Sequence, residues 1–273
     1  NIINMDIGKC EDFAKDIRRM SLQLAHNANS SHSGGALSMS DILAVLYSGI
    51  IHVTPETVDS PNRDRFVLSK GHCCASLYAT LGLRGFLSLD ELLEGYGQDG
   101  TVYFSHVSHH LNGVEVSSGS LGHGLPVAAG LALGSIASKT AFDVYCLTGD
   151  GELNEGSNWE AIMFAAQNGL SNLCLIVDYN KIQSLGNVKD IIDLAPLTDK
   201  FKAFNWKVVE IDGHDCKEIA DAFSIFKNEH KKPTVIIGNT IKGKGVSYME
   251  NQLMWHYKAP NDVQLKQAME ELK

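Results

Sequence analysis

The chain has 273 residues, of which 44% are hydrophobic and 20% charged. This is close to the soluble globular average, with no apolar run long enough to cross a bilayer. Thirty-two acidic against 23 basic side chains give a formal charge of −9, and no Lys/Arg cluster supplies the footprint that a phosphate backbone requires, so composition argues against both a membrane and a nucleic-acid partner. The N-terminus mixes Asp6, Glu11 and Asp12 with Lys9 and Arg18. It lacks a basic start followed by an apolar stretch, so no secretory signal and a cytoplasmic location are expected.

In chain order, residues 6–28 read as a helix. A second helix over 38–50 has Ser38 or Ser40 as its N-cap before Ile42, Leu43, Val45 and Leu46. Segment 121–138, opening Leu121-Gly122-His123-Gly124 and rich in Ala and Gly, reads as a tightly packed helix. After it, apolar runs alternate with helix-like spacing: Phe142 to Leu147, helix 156–168, Leu173 to Val177, helix 193–204, Trp206 to Ile211, helix 216–228, and Thr234 to Gly238. Short, nearly all-apolar runs are what parallel strands covered on both faces become, so the expected fold is α/β: a doubly wound, mostly parallel sheet flanked by helices. No repeat, low-complexity tract or Pro/Gly/Ser-rich linker divides the chain. One domain over 1–273 is expected, with irregular loops and a loosely held N-terminus. The six cysteines form no Cys-x-x-Cys pair and are read as reduced, Cys146 and Cys174 as small buried hydrophobes.

The most informative stretch is Thr148-Gly149-Asp150-Gly151-Glu152-Leu153-Asn154-Glu155-Gly156, between a strand end and a helix start. Glycines beside an aspartate let the backbone approach a ligand closely, and amides near a helix start favour an anion. One strand later comes Asp178-Tyr179-Asn180-Lys181-Ile182-Gln183, which should open on the same sheet edge and bring Asn180 toward Asp150. A carboxylate, an amide oxygen and a backbone carbonyl are hard ligands of the kind Mg²⁺ accepts. Gly-Asp-Gly by itself is also a common turn. The pair of segments together resembles the thiamine-diphosphate signature, in which the metal contacts fall on the positions of Asp150, Asn180 and the carbonyl of Ile182.

Single histidines are usually ordinary surface or core residues, but four of the eleven here sit in distinctive contexts. The segments Ala28-Asn29-Ser30-Ser31-His32-Ser33-Gly34-Gly35-Ala36 and Phe66-Val67-Leu68-Ser69-Lys70-Gly71-His72 resemble the first two histidine motifs of the transketolase family. His106, ahead of Gly113-Val114-Glu115-Val116-Ser117-Ser118-Gly119-Ser120-Leu121-Gly122, and Trp255-His256-Tyr257-Lys258-Ala259-Pro260 are similar to the later ones. The resemblance covers nearly the whole chain. It implies that His72 contacts the cofactor diphosphate and lines the substrate channel, that His32 and His256 face the oxygen whose proton is exchanged, and that His106 holds the donor's terminal hydroxyl. It also places Gly119, Ser120 and Leu121 near the thiazolium end and Gly149, Asp150 and Gly151 at the diphosphate. Imidazoles suit such a site because they donate or accept protons near neutral pH. No family role attaches to His109, His110 or His123. The chain departs from the family at Ser31-His32-Ser33, where Gly-His-Pro is usual, at Val107-Ser108 after His106, where Pro-Glu is usual, and at Gly122-His123-Gly124, where Gly-Gln-Gly is usual.

The resemblance implies thiamine diphosphate with Mg²⁺ (or Ca²⁺ or Mn²⁺ in its place) and transfer of a two-carbon ketol unit from a ketose or ketose phosphate to an aldose or aldose phosphate. In the family, a second α/β domain carries the glutamate that activates the cofactor. This chain reaches Lys273 without one, so the expected completion is a separate C-terminal transketolase subunit carrying the pyrimidine-binding domain, in a heterotetramer of two plus two chains. Glu155 falls where the family places an interface glutamate and would face that partner, although a glutamate beside a helix start is also explained by the helix dipole. Other readings are the alpha subunit of a 2-oxo acid dehydrogenase, a deoxyxylulose-phosphate-synthase-like half, and a noncatalytic diphosphate-binding regulator. The four histidine motifs favour ketol transfer.

Overall fold

The computed structural model describes residues 5–273; residues 1–4, where the loosely held N-terminus was expected, lie outside the described residues. The apolar runs become strands β1 (Arg65–Leu68), β2 (Val144–Gly149) and β3 (Leu173–Tyr179), then a short hairpin of β4 (Ile182–Gln183) and β5 (Gly186–Asn187), then β6 (Lys207–Asp212) and β7 (Thr234–Asn239). The main sheet has the order β1-β2-β3-β7-β6 and every pairing in it is parallel. The helices are α1 (Ile7–Asn27), α2 (Ser33–Ser38), α3 (Ser40–Val45), α4 (Cys74–Leu83), α5 (Leu89–Gly95), α6 (Gly124–Ser138), α7 (Gly156–Gln167), α8 (Val188–Ile191), α9 (Leu197–Ala203), α10 (Cys216–Lys227) and α11 (Asp262–Glu271). Among the described residues, no helix is long and apolar enough to cross a membrane.

Strand β3 shows why both faces are covered. Its side chains alternate between two cores: Cys174 and Ile176 join Ile17 of α1, Ile42 of α3, Tyr78 of α4 and Phe223 of α10. Leu173, Leu175 and Val177 join Leu125 of α6, Ile162 of α7 and Phe201 of α9. The period of two along a strand sends alternate residues to opposite faces, so a strand that is apolar throughout needs two helical layers. A third cluster packs Leu22, Leu37, Trp255 and Leu272, tying α11 to α1 and α2. The six cysteines are free, and Cys146 and Cys174 are buried as read from their surroundings; the other four are buried too.

Register brings the predicted site together. Leu68 pairs with Leu147, Gly149 with Asp178, and Tyr179 with Asn239. The residues that follow, Lys70, Asp150, Asn180 and Thr240 to Lys242, therefore leave the sheet at one carboxyl edge, where open α/β sheets place ligands.

Three expectations need correction. The helix over 38–50 is broken into α2, α3 and a wide turn at Leu46–Ile50, where Gly49 has φ 141. Neither Ser38 nor Ser40 caps it. Ser38 Oγ donates to the Gly35 carbonyl and to the buried Asp178 carboxylate, and Ser40 Oγ donates to the Ala36 carbonyl; Ser38 ends α2 and Ser40 is already the first residue of α3, so Met39 takes the cap position between them. The helix over 193–204 begins only at Leu197, because Pro196 holds the preceding residue out of helical conformation. The helix over 121–138 begins at Gly124, since Gly122 adopts φ 83 in the loop before it.

Candidate cofactor and proton-transfer site

A cavity of about 270 Å³ opens at that carboxyl edge, and His32, His72, His106 and His256 all line it. They reach it from four unconnected segments. His32 precedes α2 in the left-handed region (φ 73), its N–H donating to the His256 carbonyl at 3.1 Å. His72 sits in the tight turn Gly71–Cys73 before α4. His106 lies in a long loop whose backbone is held by the Tyr78 hydroxyl, donating to the His106 carbonyl at 2.9 Å. His256 ends the turn Leu253–His256. The His32 ring lies 4.9 Å from those of His72 and His256 and 5.9 Å from that of His106, centroid to centroid.

Burial, reinforced by neighbouring positive groups, holds these rings uncharged. It pushes His32 and His256 down to about 3 and His72 to about 4, and it lowers His106 as well. Lys242 also lines the cavity. Its ammonium stands 3.0 Å from His256 Nδ1 and donates to the Ile182 carbonyl at 3.1 Å. An ammonium can only donate, so His256 Nδ1 accepts and the ring hydrogen sits on Nε2.

The predicted oxygen donors form an adjoining wall, joined to His256 through Lys242. Asp150, 3% exposed, accepts from the Gly151 N–H at 2.7 Å and from the Lys181 N–H. Asn180 Oδ1 accepts from the Ile182 N–H at 3.1 Å, while its Nδ2 donates to Asp178 at 3.3 Å. An ionised carboxylate accepts only, so Asp178 sets the amide's orientation and leaves Oδ1 for the cavity. Asp150, Asn180 and Ile182 all line it, together with Gly149 and Gly151. Among the described residues no group of three or more His, Cys, Asp or Glu side chains is placed to hold a metal ion; the predicted set has a single carboxylate.

Two flanking groups fix this wall. Asp178 accepts from Lys70, Ser38, Thr240 and Asn180 and is fully buried. Burial favours its neutral form, but the Lys70 ammonium wins and holds the carboxyl below its ordinary range. Glu152 accepts from Ser69 Oγ and from the N–H groups of Gly122 (3.0 Å) and Gly149 (3.2 Å), joining the Gly119–Gly122 loop to the Gly149–Gly151 turn.

Sequence reasoning missed Lys70, Glu152, Asp178 and Lys242 as parts of the site. Lys242 had a usable signal: Ile241-Lys242-Gly243-Lys244-Gly245 follows a strand end as Gly149-Asp150-Gly151 does. Of the residues expected near the thiazolium end, Gly119 and Leu121 line the cavity, whereas Ser120 is exposed and does not. Glu155 lies outside the lining, exposed at the start of α7, and its side chain makes no cap to the helix. His109, His110 and His123 are exposed and outside the cavity; the first two stack on each other at 4.2 Å.

The residues present fit a divalent ion bound to a diphosphate. Burial, then repulsion from Asp178, raises Asp150 to about 6, which is the state of a carboxylate that lacks a cation. The Ile182 carbonyl already meets positive charge from Lys242. On the same cavity, the Lys242 ammonium and the glycine-flanked turn offer a diphosphate cationic and close backbone contact.

The chain matches, over residues 10–272, the family described as transketolase, thiamine diphosphate binding domain. It is 41% identical over 276 residues to one subunit of the apulose-4-phosphate transketolase of Actinobacillus succinogenes, covering 100% of this chain and 99% of that protein. It is 40% identical to the 6-deoxy-6-sulfo-D-fructose transketolase subunit SqwG of Clostridium sp., over 95% of this chain and 94% of that one. Among solved structures, the transketolase of Campylobacter jejuni superposes with a TM-score of 0.94 at 32% identity, covering 98% of this chain and 43% of the other. That of Leishmania mexicana gives 0.92 at 28%, again over 98% of this chain and 42% of the other. The chain thus spans about two fifths of those solved transketolase chains.

Proposed function

The chain belongs to the transketolase family, in its thiamine diphosphate binding domain, and from that premise we propose that it is the diphosphate-binding half of a two-chain enzyme moving a two-carbon ketol unit from a ketose or ketose phosphate to an aldose or aldose phosphate. The observation that carries this reading is the cavity in which four uncharged imidazoles adjoin an oxygen-donor wall. Bound thiamine diphosphate would supply the electron sink through which the bond beside a ketose carbonyl breaks.

This chain's residues would do the rest. Asp150 and Asn180 side chains and the Ile182 carbonyl would hold Mg²⁺, or Ca²⁺ or Mn²⁺ in its place, against the diphosphate. His72, beside Lys70 and Lys242 on the same cavity, would contact the diphosphate itself. His32 and His256, uncharged and 4.9 Å apart, would face the donor hydroxyl and the acceptor's oxygen between which the proton is exchanged, holding those oxygens by hydrogen bonds. His106 would hold the terminal hydroxyl of the donor. The gathering of all four rings favours ketol transfer over 2-oxo acid oxidation, which has no comparable hydroxyl proton to move.

The partner rests on two observations. The relatives matched over nearly their full length are each named as one subunit of a transketolase, and Glu155 stands exposed at the start of α7, free to face another chain. The completion that fits is a C-terminal subunit carrying a pyrimidine-binding domain, in an assembly of two plus two chains. Assaying ketol transfer between panels of ketoses and aldoses tests this. The chain alone should be inactive and should gain turnover with its partner, whereas full turnover by the isolated chain, or no transfer from any ketose by the assembled pair, contradicts the reading.

A further inference from the structure

The Ser31-His32-Ser33 segment is where the chain departs from the family's first histidine motif, and the structure gives both serines contacts that glycine and proline cannot make. Ser31 Oγ lies 3.0 Å from His32 Nδ1. Ser33, 3% exposed, donates through Oγ to the Lys258 carbonyl at 3.5 Å. The His32 N–H meanwhile donates to the His256 carbonyl at 3.1 Å, and the His32 carbonyl accepts from the Ala36 N–H at 3.1 Å. Backbone and flanking side chains therefore tie the His32 segment to the one that carries His256, and the ring itself is met by the Ser31 hydroxyl.

We propose that Ser31 is a positioning residue: its hydroxyl donates to His32 Nδ1, so that the ring hydrogen resides on Nε2 and faces the cavity. Resting on the ketol-transfer reading, this makes His32 a hydrogen-bond donor to the substrate oxygen before any proton moves. Among the described residues, the Ser31 hydroxyl has no hydrogen-bond partner other than His32 Nδ1. Donation there gives the hydroxyl hydrogen its one protein acceptor; acceptance would leave that hydrogen to solvent alone. A neutral imidazole has one ring hydrogen to place, and a fixed donor on one nitrogen decides which nitrogen keeps it. His256 is set the same way by a different device, the Lys242 ammonium at its Nδ1. Both rings then present Nε2–H, one set by a hydroxyl and the other by an ammonium.

The test is nitrogen-15 NMR of the full chain labelled at histidine, with the His32 signals assigned by their loss in His32→Gln. The wild-type ring should show an unprotonated Nδ1 and a protonated Nε2. Ser31→Ala and Ser31→Gly should convert this to a mixture of tautomers with the melting temperature unchanged, and Ser31→Thr should restore the single tautomer. In the assembled enzyme, Ser31→Ala should lower kcat by about tenfold, the scale of one net hydrogen bond, with KM little changed. A protonated Nδ1 in the wild type, or a tautomer ratio that Ser31→Ala leaves alone, overturns the proposal. The spectra need no turnover, so a failed activity assay beside the expected spectra would count against the reaction assignment and leave the role of Ser31 standing.

Discussion

The two edges of the sheet are built from the same ingredients and finished differently. At the amino edge, Asp64 before β1 and Asp143 before β2 share one lysine: Lys227 Nζ lies 2.6 Å from Asp143 and 3.6 Å from Asp64. Asp64 is further held by the N–H groups of His52 and Asp143, both at 2.9 Å. At the carboxyl edge two lysines line the cavity, but Lys70 is committed to Asp178 and Lys242 to the Ile182 carbonyl and His256. Among the described residues, Asp150 is left with backbone N–H donors only. Burial raises a carboxyl at each edge, Asp143 despite the Lys227 ammonium beside it and Asp150 to about 6, but among the described residues only Asp143 has a cation in contact. A site that is to bind a cation must leave such a group uncompensated in the protein itself, which lowers stability where function sits.

The largest effect should come from removing the carboxyl-edge lysine paired with Asp178. Lys70→Met leaves Asp178 buried without its cation and should cost about 3–5 kcal/mol in urea unfolding. The matching change at the amino edge, Lys227→Met, frees the partly exposed pair with Asp143 and a longer contact to Asp64, which keeps its two N–H donors, and should cost about 1 kcal/mol. Equal losses would erase the distinction between the edges.

A smaller effect concerns pH. The folded-state value of Asp150 lies above its ordinary one, so its contribution to stability is present at acid pH and lost as pH rises through about 6. His32, His72 and His256 act in the opposite sense. Their folded values of about 3 to 4 lie below the ordinary 6.5, so their contribution is present above 6.5 and lost as pH falls from there toward those values. Asp150→Asn removes one of the opposing contributions, which Asp143 and Glu152, also raised by burial, share. The cofactor-free variant should therefore lose stability more steeply than wild type between about pH 6.5 and 4, by on the order of 2 kcal/mol over that range. Parallel curves would show that Asp150 is not strained by its burial.

The sequence made four of the five main strands legible, the edge strand β6 among them, and hid the other edge, β1. Strands β2, β3 and β7 announce themselves because burial on both faces leaves only apolar residues between turn signals. β1 is four residues long and starts with Arg65, too little for such a run to be seen. α4 went unread as a helix for a related reason: it is buried on every side from Cys74 to Gly82, so no polar stripe reveals the helical period. The histidines and the Gly-Asp-Gly turn were legible through motif resemblance, and register explains why those motifs meet. Lys70 and Asp178 were not, because an ion pair between residues 108 positions apart leaves no local pattern in either segment. The kink after α3 was also invisible, since Gly49 reads as a tolerable helix glycine until its φ of 141 is known.

The central claim, that Asp150 is left open to take the ion that anchors a diphosphate, is tested most directly by calorimetry. Thiamine diphosphate with Mg²⁺ would be titrated into the assembled wild-type enzyme and into its Asp150→Asn and Asp143→Asn variants. Asp150→Asn should weaken binding by on the order of 100-fold, the upper range for disturbing a metal site, and Asp143→Asn should bind as wild type does. Unchanged affinity in Asp150→Asn, or an equal loss in both variants, would contradict the account.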